Sequence, residues 1–406
     1  MPHSTSITPP TAAAPTISGG LTLLLAVACG AIVANLYYAQ PLIREISVSV
    51  GLSPAAAGLV VTLTQLGYGL GLVLLVPLGD LLENRRLVVC TLAGTVAALA
   101  LAAWAPSAGW FMAASLLIGV SSVTVQMLVP IAARMTPPAT RGRVVGNVVG
   151  GLLAGILLAR PIASLLADLL GWRAVFVISA SLMAALLLVL AYRLPRWRPP
   201  AGPRYGRLLW SLWTLLRSTP LLRRRAAYQA GMFAAFSLFW TAVPLELAGP
   251  RFGFSQRGIA LFALAGAAGA LAAPIAGRIA DRGWSRLATG ISLAVAALAF
   301  GLARFGGTGS LTALVTAAIL LDFGVQANLV LGQRAVFALG RDAASRLNGL
   351  YIAIFFVGGA AGSAIASLLF AHGGWSRVST VGVLLPLATL LFYATELTGR
   401  RRLAET

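Results

Sequence analysis

The chain of 406 residues has no lysine, only ten acidic residues, two histidines and two cysteines. Charged residues make up 10% of it, whereas soluble domains carry about a quarter. Such low charge, with 59% hydrophobic residues, excludes a soluble enzyme and a disordered protein. Cys29 and Cys90 lie in apolar runs, and we interpret them as packing residues, not as a disulfide, redox or metal site. Without lysine, no Gly-x-x-x-x-Gly-Lys loop for ATP is possible.

Long apolar stretches are what the sequence does contain. A transmembrane helix needs about 20 mostly apolar residues, and twelve stretches meet that length. They are, approximately, residues 20–43, 53–79, 86–106, 109–133, 143–168, 173–193, 226–248, 255–280, 286–304, 309–333, 346–371 and 376–398. We number them spans one to twelve and predict an all-α integral membrane protein.

The basic residues give the orientation of the spans. All 30 are arginines, and the net charge is +20. Counted over the predicted loops, 23 lie on the side of the chain termini, six lie on the opposite side, and Arg160 alone lies inside a span. Because basic loops resist translocation, this bias places both termini in the cytoplasm. Arginines dispersed as helix flanks also argue against a nucleic-acid partner.

A long connection divides the spans into six and six. Residues 194–225 contain many arginines and, near their start, Pro195, Pro199, Pro200 and Pro203, and their second half, residues 208–216, is amphipathic with Trp210 and Trp213. We predict a short interfacial helix there, lying on the anionic inner leaflet of the bilayer. The predicted domains are a disordered cytoplasmic tail (1–19), a six-helix bundle (20–193), the linker (194–225), a second six-helix bundle (226–398) and a cytoplasmic tail (399–406).

The two halves repeat each other in sequence. Arg143, Gly146, Gly155 and Gly171-Trp172 recur 203 residues later as Arg346, Gly349, Gly358 and Gly374-Trp375, and Asp80 recurs as Asp281. Several matches in register, with polar members, indicate two homologous six-helix halves. Since six is even, both halves enter the membrane in the same direction, which makes them parallel repeats about an axis along the membrane normal.

The motif after span two resembles a cytoplasmic motif of the major facilitator superfamily. It reads PLGDLLENRR at residues 77–86, and its counterpart after span eight reads GRIADRG at residues 277–283. The first copy departs from the family pattern, since Val76 replaces a glycine and two residues lengthen the turn. The resemblance implies a carboxylate and guanidinium gate at the helix ends that holds the cytoplasmic face shut. Its members here would be Asp80, Arg85, Arg86, Asp281 and Arg282. The alternative is that these charges only flank the helices.

Further motifs resemble one bacterial branch of that superfamily, exporters grouped with drug:proton antiporters. They are NLYYAQPL at residues 35–42, LDFGVQAN at residues 321–328 and GWR at residues 171–173. This implies two pseudo-symmetric six-helix bundles in the bacterial inner membrane, with a substrate site between them. Two departures concern the mechanism. Ser115 stands where such exporters carry a coupling arginine in span four, and Ala159-Arg160-Pro161 replaces the Gly-Pro that ends their span-five motif.

Two charges deep in the bilayer are the candidates for coupling, because charges in hydrocarbon are costly. Asp322 lies about 13 residues into span ten, roughly 20 Å deep at 1.5 Å per residue. Arg160 lies 17 residues into span five. We expect Asp322 to carry the coupled proton, and we hypothesise that Arg160 interacts with it in at least one transport state. The alternative is that each is a fixed polar contact between the halves.

Polar residues on the presumed cavity helices are the predicted substrate contacts. They are Asn35, Tyr38, Gln65, Tyr68, Gln126, Trp240 and Gln326. For any one of them, a hydrogen bond between helices is an equal alternative. Phe236, Phe239 and Trp240 form an aromatic group that suits an aromatic substrate or simple packing.

The sequence therefore predicts a secondary active transporter that exports small organic molecules, drug-like, sugar-like or metabolite, in exchange for protons. We expect a monomer with no cofactor, no metal and no catalytic residues. The alternatives are a proton-driven uptake symporter, an uncoupled facilitator and, remotely, an integral membrane enzyme. An enzyme would need a clustered catalytic set, and the histidines, His3 and His372, are far apart in the sequence.

Overall fold

The computed structural model describes residues 17–199, 204–266, 268–269, 272–340 and 344–404, with side chains up to residue 396. The predicted tail at residues 1–16, linker residues 200–203 and the end of the predicted C-terminal tail, residues 405–406, lie outside the described residues. Within the described ranges the chain is helical and contains no strand. This confirms the predicted all-α class.

Fifteen α-helices make up the described chain. They are α1 Gly19–Ala34, α2 Ile43–Val50, α3 Leu59–Leu74, α4 Asn84–Ala103, α5 Ala108–Ser121, α6 Thr124–Arg134, α7 Pro138–Leu170, α8 Trp172–Arg193, α9 Tyr205–Ser218, α10 Pro220–Leu247, α11 Gln256–Gly266, α12 Ala272–Asp281, α13 Ser285–Ala303, α14 Leu311–Phe337 and α15 Ala344–Ala404. Nine segments of the described chain are long and apolar enough to cross a membrane. The last of these contains two spans, and α1 with the pair α11–α12 completes the twelve. An even number of spans leaves both termini on one side, which we call the inner side.

Two glycines show that the sequence repeat is also a structural repeat. Gly171 precedes α8 with φ +83°, and Gly374 interrupts α15 with φ +59°, a left-handed conformation that favours glycine. Each separates the last two spans of its half. The tryptophans that follow, Trp172 and Trp375, are both buried. The two halves therefore end in the same turn.

Span one is not a single helix as predicted for residues 20–43. The α-helix ends at Ala34, and residues 35–42 continue as tight turns. Their backbone hydrogen bonds run from the N–H of one residue to the carbonyl three residues earlier, such as Tyr37 N to Ala34 O at 3.0 Å. The turn lies before Pro41, which has no N–H to donate and disfavours helical backbone in the residue before it. These turns bring Tyr37 and Gln40 to the interface between the halves.

The two halves are joined directly on the outer side and at the centre. Among the described residues, the hydrogen bonds between them run from Arg44 and Asp168 at the outer surface to Gln65 near mid-depth. Towards the inner side, a cavity of about 70 Å³ lies between the halves, lined by residues that include Asp80 and Arg346. The conformation is therefore closed on the outer side.

Linker helix α9 lies against both halves. Its Leu208 and Leu212 are buried, whereas Trp210 is 67% exposed. Tyr205 donates to the backbone of α3, and Ser211 accepts a hydrogen bond from Arg346 at 3.0 Å. The helix thus presents an aromatic face away from the protein, and its position on the lipid leaflet stays a prediction.

Candidate coupling and substrate site

Arg160 is buried between the two halves and held by an amide and three rings. It lies in α7 with 5% exposure, and its Nε donates to Gln40 Oε1 at 2.7 Å. The guanidinium carbon lies 4.9 Å from the ring centre of Tyr37, 5.0 Å from that of Phe236 and 4.5 Å from that of Trp240. Aromatic faces attract cations, most of all where water is excluded. The rings therefore stabilise a charge that hydrocarbon alone would reject.

Asp322 lies at the N–H edge of the same indole. It lies in α14 with 5% exposure, and its Oδ1 accepts a hydrogen bond from Trp240 Nε1 at 2.8 Å. The end of α11 packs closely on it, since a Cβ built on Gly266 would lie 2.8 Å from Asp322 Oδ2. Only a glycine at this position leaves room for the carboxylate.

Trp240 connects the two buried charges, which do not meet directly. Within the described residues, no nitrogen of Arg160 lies within 4.0 Å of a carboxylate oxygen of Asp322. Instead, the guanidinium of Arg160 lies over the ring of Trp240. The Nε1–H of the same Trp240 donates to the carboxylate of Asp322. Their direct interaction in another transport state stays a prediction.

Below this site, a layer of polar and aromatic contacts crosses the interface. Gln65 of α3 donates to Ser237 of α10 at 2.9 Å, and the ring of Tyr68 lies 4.5 Å from that of Phe356. Gln126 donates to the Tyr68 hydroxyl at 3.0 Å and lines the inner cavity. Of these three predicted substrate contacts, Gln126 lines the inner cavity, while Gln65 and Tyr68 contact the second half directly.

The remaining predicted contacts lie elsewhere. Asn35 accepts from Ser179 at 2.6 Å inside the first half, and Tyr38 is buried in the same half. Gln326 is half-buried on α14, and its side chain forms no hydrogen bond within the described part of the chain. Sequence reasoning missed Tyr37 and Gln40, whose only signal is the Gln-Pro pair at residues 40–41, which ends helical backbone.

The gate motifs of the two halves differ in structure. In the second half, Asp281 binds Arg334, while Arg282 is exposed. In the first half, Asp80 is exposed and has no ion pair among the described residues. Arg85 is half-buried and Arg86 is exposed.

The arginine that corresponds to Arg334 is held by the linker. Arg134 lies with its guanidinium 4.4 Å from the ring centre of Trp197. Trp197 is fixed in turn by Asn84, whose Oδ1 accepts from Trp197 N at 2.9 Å and whose N–H donates to Trp197 O at 3.1 Å. Arg134 therefore packs on a linker ring, and it forms no ion pair with Asp80 among the described residues.

An ion pair joins the halves at the outer surface. Arg257 at the start of α11 contacts Asp168 near the end of α7, with Nε 3.5 Å from Oδ2 and the backbone N–H donating to Oδ1 at 3.3 Å. Arg44 donates to Ala248 O at 2.9 Å. Burial raises the pKa of Glu45, and the nearby Asp168 carboxylate acts in the same direction.

The described part of the chain contains no cluster of potential metal ligands. No group of three or more His, Cys, Asp or Glu side chains there could hold a metal ion. What the site offers is one carboxyl group, one guanidinium and an aromatic enclosure between two halves.

Comparison with known proteins identifies what the chain resembles. A family model described as Major Facilitator Superfamily matches residues 22–330. An uncharacterised transporter of Escherichia coli O157:H7, YgaY, is 41% identical over 377 residues, covering 93% of this chain and 95% of that protein. A chloramphenicol efflux pump of Mycobacterium tuberculosis, MT0201, is 27% identical over 315 residues, covering 71% and 70%. The solved structure of a nucleoside transporter, NupG, has a TM-score of 0.75 at 15% identity, covering 92% of this chain and 99% of that chain, which shows the fold alone.

Proposed function

The chain belongs to the Major Facilitator Superfamily, and we propose that this membrane transporter exports small organic molecules in exchange for protons by alternating access. The observation that carries the proposal is the position of Asp322. It is buried at the interface of the halves, bound to Trp240 and joined through that indole to Arg160. A proton carrier must sit where it can face either side in turn, and the interface is that place.

The chemistry of exchange follows from the charge on Asp322. When the carboxylate is ionised, it offers acceptors to Trp240 and to a substrate group. A proton removes that charge and weakens both interactions, so proton and substrate compete for one group. Because Trp240 touches both charges, the change also alters the surroundings of Arg160 on the opposite half. This competition is what couples two flows in opposite directions.

Export is favoured over uptake by two observations. The span-five glycines of the exporter motif, Gly146 and Gly155, keep their spacing. In addition, one relative is named a chloramphenicol efflux pump. We propose further that the protein lies in the bacterial inner membrane as a monomer, with both termini in the cytoplasm. The exposed face of α9, carrying Trp210 and Trp213, would rest on the anionic leaflet.

Transport by purified protein in proteoliposomes tests this function. An imposed pH gradient is combined with chloramphenicol and a panel of drugs, sugars and amino acids, and a trapped pH dye reports proton movement. We expect at least one compound to move against its own gradient, opposite to the proton. Accumulation in the direction of proton flow would instead establish uptake.

Asp322→Asn separates proton carriage from substrate binding. Asparagine keeps the acceptor for Trp240 but cannot release a proton, so we expect uphill export to fall at least about tenfold while downhill movement persists. The matched control is Glu83→Gln, an acid-to-amide change at the inner end of α4. Undiminished pH-dependent transport by Asp322→Asn would remove it as the proton carrier.

A further inference from the structure

Two buried hydrogen-bond donors, one on Arg160 and one on the neighbouring Gln40, have no partner among the described residues. They are Arg160 Nη2 and Gln40 Nε2. Gln40 has no exposed surface, and Arg160 has 5%. An unpaired buried donor destabilises the fold, and a charged one does so more. The two belong to one unit, since Arg160 Nε binds Gln40 Oε1. Their position at the interface of the halves calls for an acceptor that the described protein does not supply.

Aromatic rings surround the guanidinium. Its carbon lies within 5.0 Å of the ring centres of Tyr37, Phe236 and Trp240, and aromatic rings offer it no oxygen acceptor along its N–H edge apart from the Tyr37 hydroxyl. A planar guanidinium binds oxygen acceptors along its edge. The carboxylate of Asp322 does not pair with this edge, since none of its oxygens lies within 4.0 Å of an Arg160 nitrogen and Oδ1 accepts from Trp240 Nε1.

An apolar space lies beside Arg160. It is lined by Arg160, Trp240, Phe262 and aliphatic side chains such as Val243 and Leu247. In this closed conformation its volume is about 10 Å³, roughly that of one water molecule. A substrate therefore enters only when the halves separate, and then finds aromatic and aliphatic walls around a few donors.

The charges of the site restrict the substrate further. With Asp322 ionised, Arg160 and Asp322 together are neutral; with Asp322 protonated, the site is positive. Arg160 repels a permanent cation in both states. A carboxylate is favoured only in the protonated state, so it would travel with the proton and not against it. An uncharged molecule with an N–H or O–H for Asp322 is the one that competes with the proton.

We propose that the substrate is an uncharged aromatic molecule with an amide-like group, whose oxygen binds Arg160 Nη2 and Gln40 Nε2 and whose N–H binds Asp322. This rests on the proposed exchange for the choice of charge, whereas the oxygen site rests on the two unpaired donors alone. The site thus selects against the cationic dyes and amines that an isolated buried carboxylate would favour.

Three one-ring probes test the selection: benzamide, benzylamine and benzoate. They share a ring and differ in charge at neutral pH, being neutral, cationic and anionic. Binding is measured by saturation-transfer NMR on the full-length protein in lipid nanodiscs. We expect benzamide to bind at least about tenfold more tightly than either charged probe. Tightest binding of benzylamine or benzoate to the native chain would overturn the proposal.

Gln40→Glu provides the decisive variant. The glutamate keeps an oxygen for Arg160 Nε, so the packing is preserved, but it removes the Nε2 donor and neutralises the guanidinium. We expect benzamide affinity to fall about tenfold and benzylamine affinity to rise. Arg160→Lys keeps the charge without the planar edge, and it should also lose benzamide. The control is Arg173→Lys, because Arg173 binds Ser49 at the outer surface. Unchanged benzamide affinity in Gln40→Glu and Arg160→Lys would mean that the donors hold only water, and the proposal would fall.

Proton movement in proteoliposomes separates this proposal from the function it rests on. If benzamide binding depends on Gln40 and Arg160 but no compound moves protons, the oxygen site stands and the exchange falls. If compounds exchange for protons through Asp322 with no effect of Gln40→Glu, the exchange stands and the oxygen site is refuted. Thermal unfolding of each variant shows whether it is folded.

Discussion

Gly155→Ala is expected to destabilise the protein by wedging α1 away from α7. A Cβ built on Gly155 would meet the backbone of Gly30, with the carbonyl carbon at 2.6 Å, the Cα at 2.5 Å and the carbonyl oxygen closer still. Ordinary contacts begin at 3.4 Å, so the two helices must separate by more than about 0.9 Å, the difference between 3.4 and 2.5 Å. Overpacking of this kind typically costs about 1–3 kcal/mol. The backbone of Gly30 cannot move aside as a flexible side chain could.

Gly146→Ala is the matched control, since both glycines belong to the same motif on the same helix. Nothing lies within 4 Å of a Cβ at Gly146. Alanine there gains about 0.5–1 kcal/mol of helix propensity over glycine, so we expect opposite signs for the two substitutions. The repeat predicts the same contrast in the other half, where Gly358 packs on Ala230 and Gly349 is open.

Thermal unfolding in detergent, followed by tryptophan fluorescence, measures both pairs. We expect a lower Tm for Gly155→Ala and Gly358→Ala, and an equal or higher Tm for Gly146→Ala and Gly349→Ala. Equal losses at all four positions would refute the packing argument, because glycine would then matter for flexibility along the helix and not for contact between helices.

Two further predictions concern the outer and the inner surface of the protein. Arg257→Gln removes the ion pair with Asp168, an exposed contact worth about 0–1 kcal/mol, so the outer side should open more often. A cysteine placed at Val61, which is buried near the outer side, should then react up to several-fold faster with an impermeant thiol reagent than it does in the chain with Arg257. Equal reaction rates contradict this prediction. Trp197→Ala frees Arg134, so Asp80→Asn should then lower the Tm more than it does in the native chain; equal effects in both backgrounds contradict the linker's role.

Some features follow from the sequence because they are properties of the chain itself. Twelve apolar runs, the arginine bias and the repeat at 203 residues required no knowledge of neighbours. Asp322 and Arg160 stood out for the same reason, since a charge in an apolar run is costly whatever surrounds it. The fold is confirmed, and both residues contact the same indole, Asp322 at its N–H and Arg160 over its ring.

Contacts made by turns could not be predicted in the same way. Tyr37 and Tyr38 are adjacent and chemically alike, and the sequence pointed to Tyr38. The turns after Ala34 place the ring of Tyr37 against Arg160. A shift of one residue in tight turns rotates a side chain to a different neighbour, and apolar periodicity carries no information about that rotation.

What the sequence by itself determined is which segments cross the membrane, how they divide into halves and that Arg160 and Asp322 lie deep within their spans, since hydrophobicity and charge act residue by residue. Only the tertiary structure decided which residues touch across the interface. Gly146 and Gly155 belong to one motif, yet one faces open space and the other Gly30. Gln40 became a candidate ligand only because Arg160 lies beside it. Packing between helices depends on pairs of residues far apart in the chain, and a single sequence does not record those pairs.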